Sequence, residues 1–241
     1  MDEVRISYGD VVALDVDHLS IGPGVTGLVG VNGAGKTSLM SALVGLVRPR
    51  KGTVFVAGQP VARRTLRDVR RRIGLAPQQF RAPGNVAVED LVTYLGWLHG
   101  LTPARAGERA GVVLDQLGLA GKRRARVSQL SGGMLRRVAI AQAMVHDPGV
   151  LLLDEPTAGL DPEQRHQVRE VVSAAAAGRT AVISSHLLED VVRWSDSILV
   201  LDEGRVAFHG SVEEFWAEAA RRGVAEQDGE LAFLAVVRRE R

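Results

Sequence analysis

Cysteine is absent from the 241 residues, which excludes a disulfide framework, a zinc–thiolate site and a cysteine nucleophile. Aromatic residues amount to 4%, and none interleaves with the basic clusters, so single-stranded nucleic acid finds no stacking platform. Lysine is scarce as well: beyond Lys36, Lys51 and Lys122 the positive charge is carried by arginine. No apolar run approaches the ~18–20 residues needed to cross a bilayer. The opening Met1-Asp2-Glu3-Val4-Arg5 lacks the basic region and apolar stretch of a secretory signal. The expectation is a chain that neither spans a membrane nor carries an export address. Any spanning part of an assembly would then be another polypeptide.

The remainder has the composition of a folded domain. Hydrophobic residues make up 46%, charged residues 24%, and the formal net charge is +2, so a sizeable core can be buried without cross-links. Charge is unevenly placed. Arg63 to Arg72 and Lys122 to Arg126 are basic, while Asp202 to Glu230 leans acidic. Solvated helix faces account for this most simply; attraction to anionic lipid headgroups or nucleic acid is the alternative.

Periodicity predicts a buried strand over Val25 to Val31, then a glycine-rich turn and a helix from Lys36 to about Leu46. Short strands are expected at Thr53 to Ala57 and Ile73 to Ala76. From Val86 to Val145 the pattern is helical, with Thr102-Pro103 and Ser131 as helix starts. Strands follow at Val150 to Leu153, Thr180 to Ser184 and Ser197 to Leu201, with a hairpin at Glu203-Gly204 into Arg205 to Phe208. Asp161-Pro162 with Gln164, and Ser211 with Glu214, read as capped helix starts. Strands alternating with helices imply an α/β fold with a mostly parallel sheet. The helical stretch would be an insertion in it.

Gly30-Val31-Asn32-Gly33-Ala34-Gly35-Lys36-Thr37 fits the pattern of two glycines with four residues between them, followed by Lys and Thr, between a predicted strand and helix. Glycines let the backbone turn successive N–H groups toward phosphate oxygens, and the helix start adds its own open donors. Lys36 would reach the β- and γ-phosphates and the Thr37 hydroxyl would ligate Mg²⁺. An exposed lysine after a fortuitous glycine turn is the bland alternative. Asp154 and Glu155 close the apolar run Val150 to Leu153. Asp154 could simply cap the following turn. Beside a phosphate cradle it can instead hold Mg²⁺, while Glu155 orients and deprotonates a water.

Further motifs make the sequence resemble the ABC ATPase family. Leu130-Ser131-Gly132-Gly133-Met134 resembles its signature, Pro77-Gln78 its Q-loop, Ala158-Gly159-Leu160-Asp161 its D-loop and Ser184-Ser185-His186 its switch histidine. Tyr8 resembles the aromatic residue that stacks on adenine. Taken singly, Gln78 could be a loop residue, His186 a helix-capping histidine and Tyr8 a half-buried strand aromatic. The resemblance runs from about Val4 to Gly210, and Met134 departs from the usual glutamine.

The resemblance implies a P-loop core with N-terminal antiparallel strands, made of residues 1–79 and 146–210, a helical subdomain over 80–145 and a helical tail over 211–241. It implies two cassettes docked head to tail, each ATP held between one cradle and the other's signature. The nucleotide would touch Tyr8, Gly30 to Thr37, Ser38 and Asp161, with Ser131, Gly132 and Gly133 serving the partner's γ-phosphate. Glu155, His186, Gln78 and Lys36 would carry catalysis, and Thr37, Gln78 and Asp154 would surround Mg²⁺. Partners would be a second cassette and a separate transmembrane permease, holding the chain at the inner face of the cell membrane, with export favoured over import. A soluble ATPase of this family acting on nucleic acid or ribosomes is the rival; such proteins tend to carry two cassettes or a long coiled-coil insertion. The tail residues Phe215, Trp216, Phe233 and Leu234 are expected to pack on the core.

Overall fold

Val4 and Ile6 are buried on either side of exposed Arg5 in β1 (Asp2–Tyr8), the two-residue period of a half-covered strand. β2 (Val11–His18) pairs with it antiparallel and buries Leu14 and Val16. β3 (Gly24–Val29) is buried along nearly its whole length and leads to α1 (Lys36–Leu43). β4 (Lys51–Thr53) adds to β1, giving the order β2-β1-β4. β5 (Phe55–Val56) and β6 (Gln59–Pro60) form a small antiparallel pair. The structure, a computed structural model, describes residues 1–185, 188–224 and 228–237.

Three expectations change here, each for a local reason. The strand expected to reach Val31 stops at Val29, because Gly30 already begins the phosphate turn. The helix expected to reach Leu46 stops at Leu43. Gly45, at φ 66°, donates to Ala42, and Leu46 donates to Ser41, the paired bonds of a glycine-terminated helix end. The strand expected over Thr53 to Ala57 is divided. Ala57 and Gly58 both hold positive φ, 47° and 75°, and turn the chain back from β5 to β6.

The chain divides into two compact units, Met1–Leu66 with Val182–Arg241, and Arg67–Ala181. In the second, α2 (Leu66–Arg71) leads into β7 (Ile73–Ala76), followed by α3 (Val88–Leu98), α4 (Pro103–Gln116) and α5 (Gly132–Met144). β8 (Val150–Asp154) runs parallel to β7, and α6 (Pro162–Ala176) precedes β9 (Thr180–Ser184). α5 lies directly on β7: a Cβ on Gly74 would sit 1.9 Å from the Ala143 carbonyl. Gln142 Nε2 donates to the Leu75 carbonyl at 2.5 Å and His146 Nε2 to that of Ile73 at 3.1 Å. His146 also stacks on His99, with ring centroids 3.9 Å apart. α3 has no side-chain cap; the N–H groups of Val88 and Glu89 reach the carbonyls of Ala125 and Arg123.

The first unit resumes at Val182, within β9, and continues with α7 (Leu188–Trp194), β10 (Ser197–Asp202) and β11 (Arg205–Ser211). β10 is parallel to β3 and antiparallel to β11, and Glu203 and Gly204 turn between them at φ 44° and 78°. α8 (Val212–Arg221) starts on a reciprocal Ser211–Glu214 cap, and α9 (Gly229–Val237) follows. Phe215 is fully buried among Val29, Val191, Ile198, Val200 and Ala232, with Trp216 and Phe233 packed beside it. Leu234 keeps 38% of its surface exposed. The result is an α/β fold with mostly parallel pairing among its buried strands and an antiparallel sheet at the N-terminus.

Candidate active site

The phosphate cradle lies in the first unit, and glycine is sterically required at two of its positions. A Cβ on Gly30 would stand 2.6 Å from the Leu201 carbonyl. Gly35, the N-cap of α1, has φ 103°, and its Cβ would meet the Ala13 carbonyl at 2.6 Å. The Ala34 N–H donates to Val31 at 3.1 Å, closing the turn. Gly204 donates to Ala34 at 3.1 Å and accepts from Asp15, so the β10–β11 turn buttresses the cradle from behind.

Chemistry at this turn favours an anion. α1 begins without a side-chain cap and without an acidic residue in its first turn, leaving backbone donors and the positive end of its dipole for a ligand. Lys36 Nζ donates to the carbonyls of Gly30 and, at 3.1 Å, Val31. The lysine therefore stands over the turn it would serve. Val31, Asn32, Gly33 and Thr37 are exposed, whereas Ala34 and Ser38 are buried. Tyr8 ends β1 opposite Val11 and is 51% exposed.

The second unit holds the acids and the Ser-Gly-Gly segment. Asp154 ends β8 half-buried. Glu155 follows, buried, in the left-handed region at φ 53°, a conformation that non-glycine residues hold at a cost and that recurs at functional sites. Ala158 donates to the Glu155 carbonyl and Leu160 to that of Thr157, folding the chain tightly toward α6. Gln78 lies exposed just past β7. Ser131 caps α5, its hydroxyl accepting from the Met134 N–H at 3.3 Å. That bond uses the backbone of residue 134, so methionine in place of glutamine leaves the cap intact. Ser131 and Gly132 are exposed, while a Cβ on Gly133 would be 3.1 Å from both Leu160 and Gln164. Gly133 thus packs closely on the start of α6. Asp161 caps that helix, accepting from the Gln164 N–H at 2.9 Å.

His186 lies outside the described residues; Ser184 and Ser185 before it are buried. Arg136, which the motif reading passed over, reaches the carbonyls of Pro77 and Asp154 from α5. Burial pulls its guanidinium below the usual arginine value, opposed by the charges of Asp154 and Glu155. Its place one turn into the helix opened by Ser131 was the available signal. Arg137, also passed over, is buried and donates to the Leu117 carbonyl at 2.9 Å.

A phosphate cradle, a strand-end Asp-Glu pair and a Ser-Gly-Gly helix start on an α/β fold define a P-loop ATPase of the cassette type. The family model for ABC transporters matches residues 14–158. The chain belongs to that family and is an ATP-hydrolysing cassette. It is 38% identical to the Nod factor export ATP-binding protein I of Cupriavidus metallidurans, over 89% of this chain and 71% of that protein. It is 40% identical to the daunorubicin resistance ATP-binding protein DrrA3 of Streptomyces coeruleorubidus, over 90% of this chain and 69% of that one. Among solved structures, the dimeric post-hydrolysis state of the cassette MJ0796, bound to ADP and Pi, superposes with a TM-score of 0.78. The two are 25% identical, with 88% of this chain and 97% of the other covered.

Proposed function

We propose that the chain powers export through a separate membrane permease, by binding ATP between two cassettes docked head to tail and then hydrolysing it. The observation carrying the catalytic part is Glu155, a buried acid held in left-handed backbone directly after Asp154. That geometry fixes one carboxylate beyond the strand end, where an attacking water can be oriented and deprotonated. Lys36 and the cradle donors hold phosphate oxygens, Tyr8 supports the adenine, and Gln78 and His186 complete the γ-phosphate surroundings. Exposed Ser131 and Gly132 offer a hydroxyl and a helix start to the partner's nucleotide; Gly133 keeps that start packed, and Asp161 faces the cassette interface.

The oxygen donors Thr37, Gln78 and Asp154 suit a hard cation. Among the described residues no group of three or more His, Cys, Asp or Glu side chains could hold a metal, which fits an ion completed by phosphate and water. Mg²⁺ would supply charge neutralisation at the transferring phosphoryl group. The core of residues 1–79 and 146–210, the helical subdomain 80–145 and the tail 211–241 form the working division of the cassette.

Export is favoured because similar proteins bear the names of Nod factor export and daunorubicin resistance subunits. Among the described residues no helix is long and apolar enough to cross a membrane; in this reading the pore is the permease's. The chain would sit at the inner membrane face through that partner. Glu155→Gln tests the core of the reading. In Mg-ATP the variant should lose phosphate release by orders of magnitude and elute from size exclusion as a dimer. Normal hydrolysis by the variant would remove Glu155 as the base.

A further inference from the structure

Arg136 projects from the second turn of α5, half-buried, where a solvated arginine would be expected on an exposed helix face. Its Nη1 donates to the Pro77 carbonyl at 3.3 Å and lies 3.5 Å from that of Asp154. Pro77 immediately precedes Gln78; Asp154 immediately precedes Glu155. One guanidinium nitrogen therefore spans the last peptides before both candidate γ-phosphate groups. The helix carrying it is immobilised on β7 by Gln142 and His146, so the nitrogen's position is set by a rigid element. Arginine also brings a permanent charge close to two carboxylates, which a neutral donor would not.

Resting on the assignment of Glu155 as base, we infer that Arg136 is a positioning residue that fixes the entry of the Gln78 loop to the end of the Asp154 strand. Its bonds make the two groups move together, so the spacing of the loop and the base is maintained from α5. A displacement of the Gln78 loop by a docked partner is passed to the base through the same nitrogen.

The test is steady-state hydrolysis of Mg-ATP by wild type, Arg136→Gln, Arg136→Lys and Glu155→Gln, with the dissociation constant for a fluorescent ATP analogue and the melting temperature of each. Arg136→Gln should lower kcat about ten-fold or more, the scale of a small misplacement at a reacting centre. Its nucleotide affinity should stay within about two-fold of wild type, because the carbonyls that Arg136 bonds, those of Pro77 and Asp154, lie outside the cradle. Arg136→Lys, retaining a cationic donor to one carbonyl, should recover part of kcat. An Arg136→Gln protein with wild-type kcat overturns the inference. So does a joint fall of kcat, affinity and melting temperature in which lysine is no better than glutamine, since that describes a scaffold residue. If Glu155→Gln remains active the base is lost, and this inference with it; an inactive Glu155→Gln beside an unimpaired Arg136→Gln retires the Arg136 role alone.

Discussion

At the scale of single residues, two kinds of constraint operate in this cassette. Gly30 and Gly35 are excluded by backbone oxygens from carrying a side chain, whereas Glu155 carries one in a conformation that glycine would hold more cheaply. In the proposed mechanism, strain is kept where a carboxylate would be aimed and relieved where phosphate would approach the backbone. Gly35→Ala would add an unfavourable φ and a contact with the Ala13 carbonyl. Strain of that kind is worth roughly 1–3 kcal/mol before the clash is counted. The expected outcome is loss of measurable nucleotide binding by titration with a fluorescent ATP analogue, with the melting temperature lowered. The glycine pattern was legible in the sequence because glycine's freedom is a backbone property. Arg136 was not, because its partners are carbonyls that every residue possesses.

Among the elements, α5 decides most. Its start was legible, since Ser131 is a local cap. Its floor was not: Gly74 admits the helix so closely that the contact involves only backbone and a missing Cβ. The start of α3 was equally hidden, because its open N–H groups are satisfied by carbonyls more than thirty residues along the chain. Two residues past the end of α5 stands His146, whose pKa burial pushes down to about 4, assisted by His99 stacked upon it. His99 is itself pushed down by burial, and Asp147 pulls His146 weakly the other way. The folded chain keeps His146 neutral while the unfolded chain takes up a proton near 6.5. Stability therefore falls as pH drops from about 6.5 to about 4, by at most about 3 kcal/mol from this residue. Asp147, held low by Arg179, loses its contribution below the usual carboxylate range, a lower window. Urea unfolding at pH 7, 5.5 and 4.5 should give a shallower acid slope for His146→Gln than for wild type.

On the scale of the whole molecule, the order of motifs along the chain was legible, and so was the strand–helix alternation. The tail's destination was expected from the size of its apolar side chains, and Phe215 does close the core beside β10. The six arginines between Arg63 and Arg72 stand exposed around a single buried apolar residue of α2, Val69, as a solvated face would. Because nucleotide binds the folded chain alone, Mg-ATP should raise its stability by about 2.7 kcal/mol at a hundredfold excess over the dissociation constant. A thermal scan should record that rise for wild type and no rise for Gly35→Ala. The thirteen residues of α5 make a rod about 20 Å long, clamped near one end by Gln142 and His146 and tipped at the other by Ser131. Tilting such a lever by about 10° sweeps its tip through about 3 Å, the length of one hydrogen bond. In the proposed head-to-tail dimer, that is the distance over which the Ser131 end of the rod would reach or miss the partner's nucleotide.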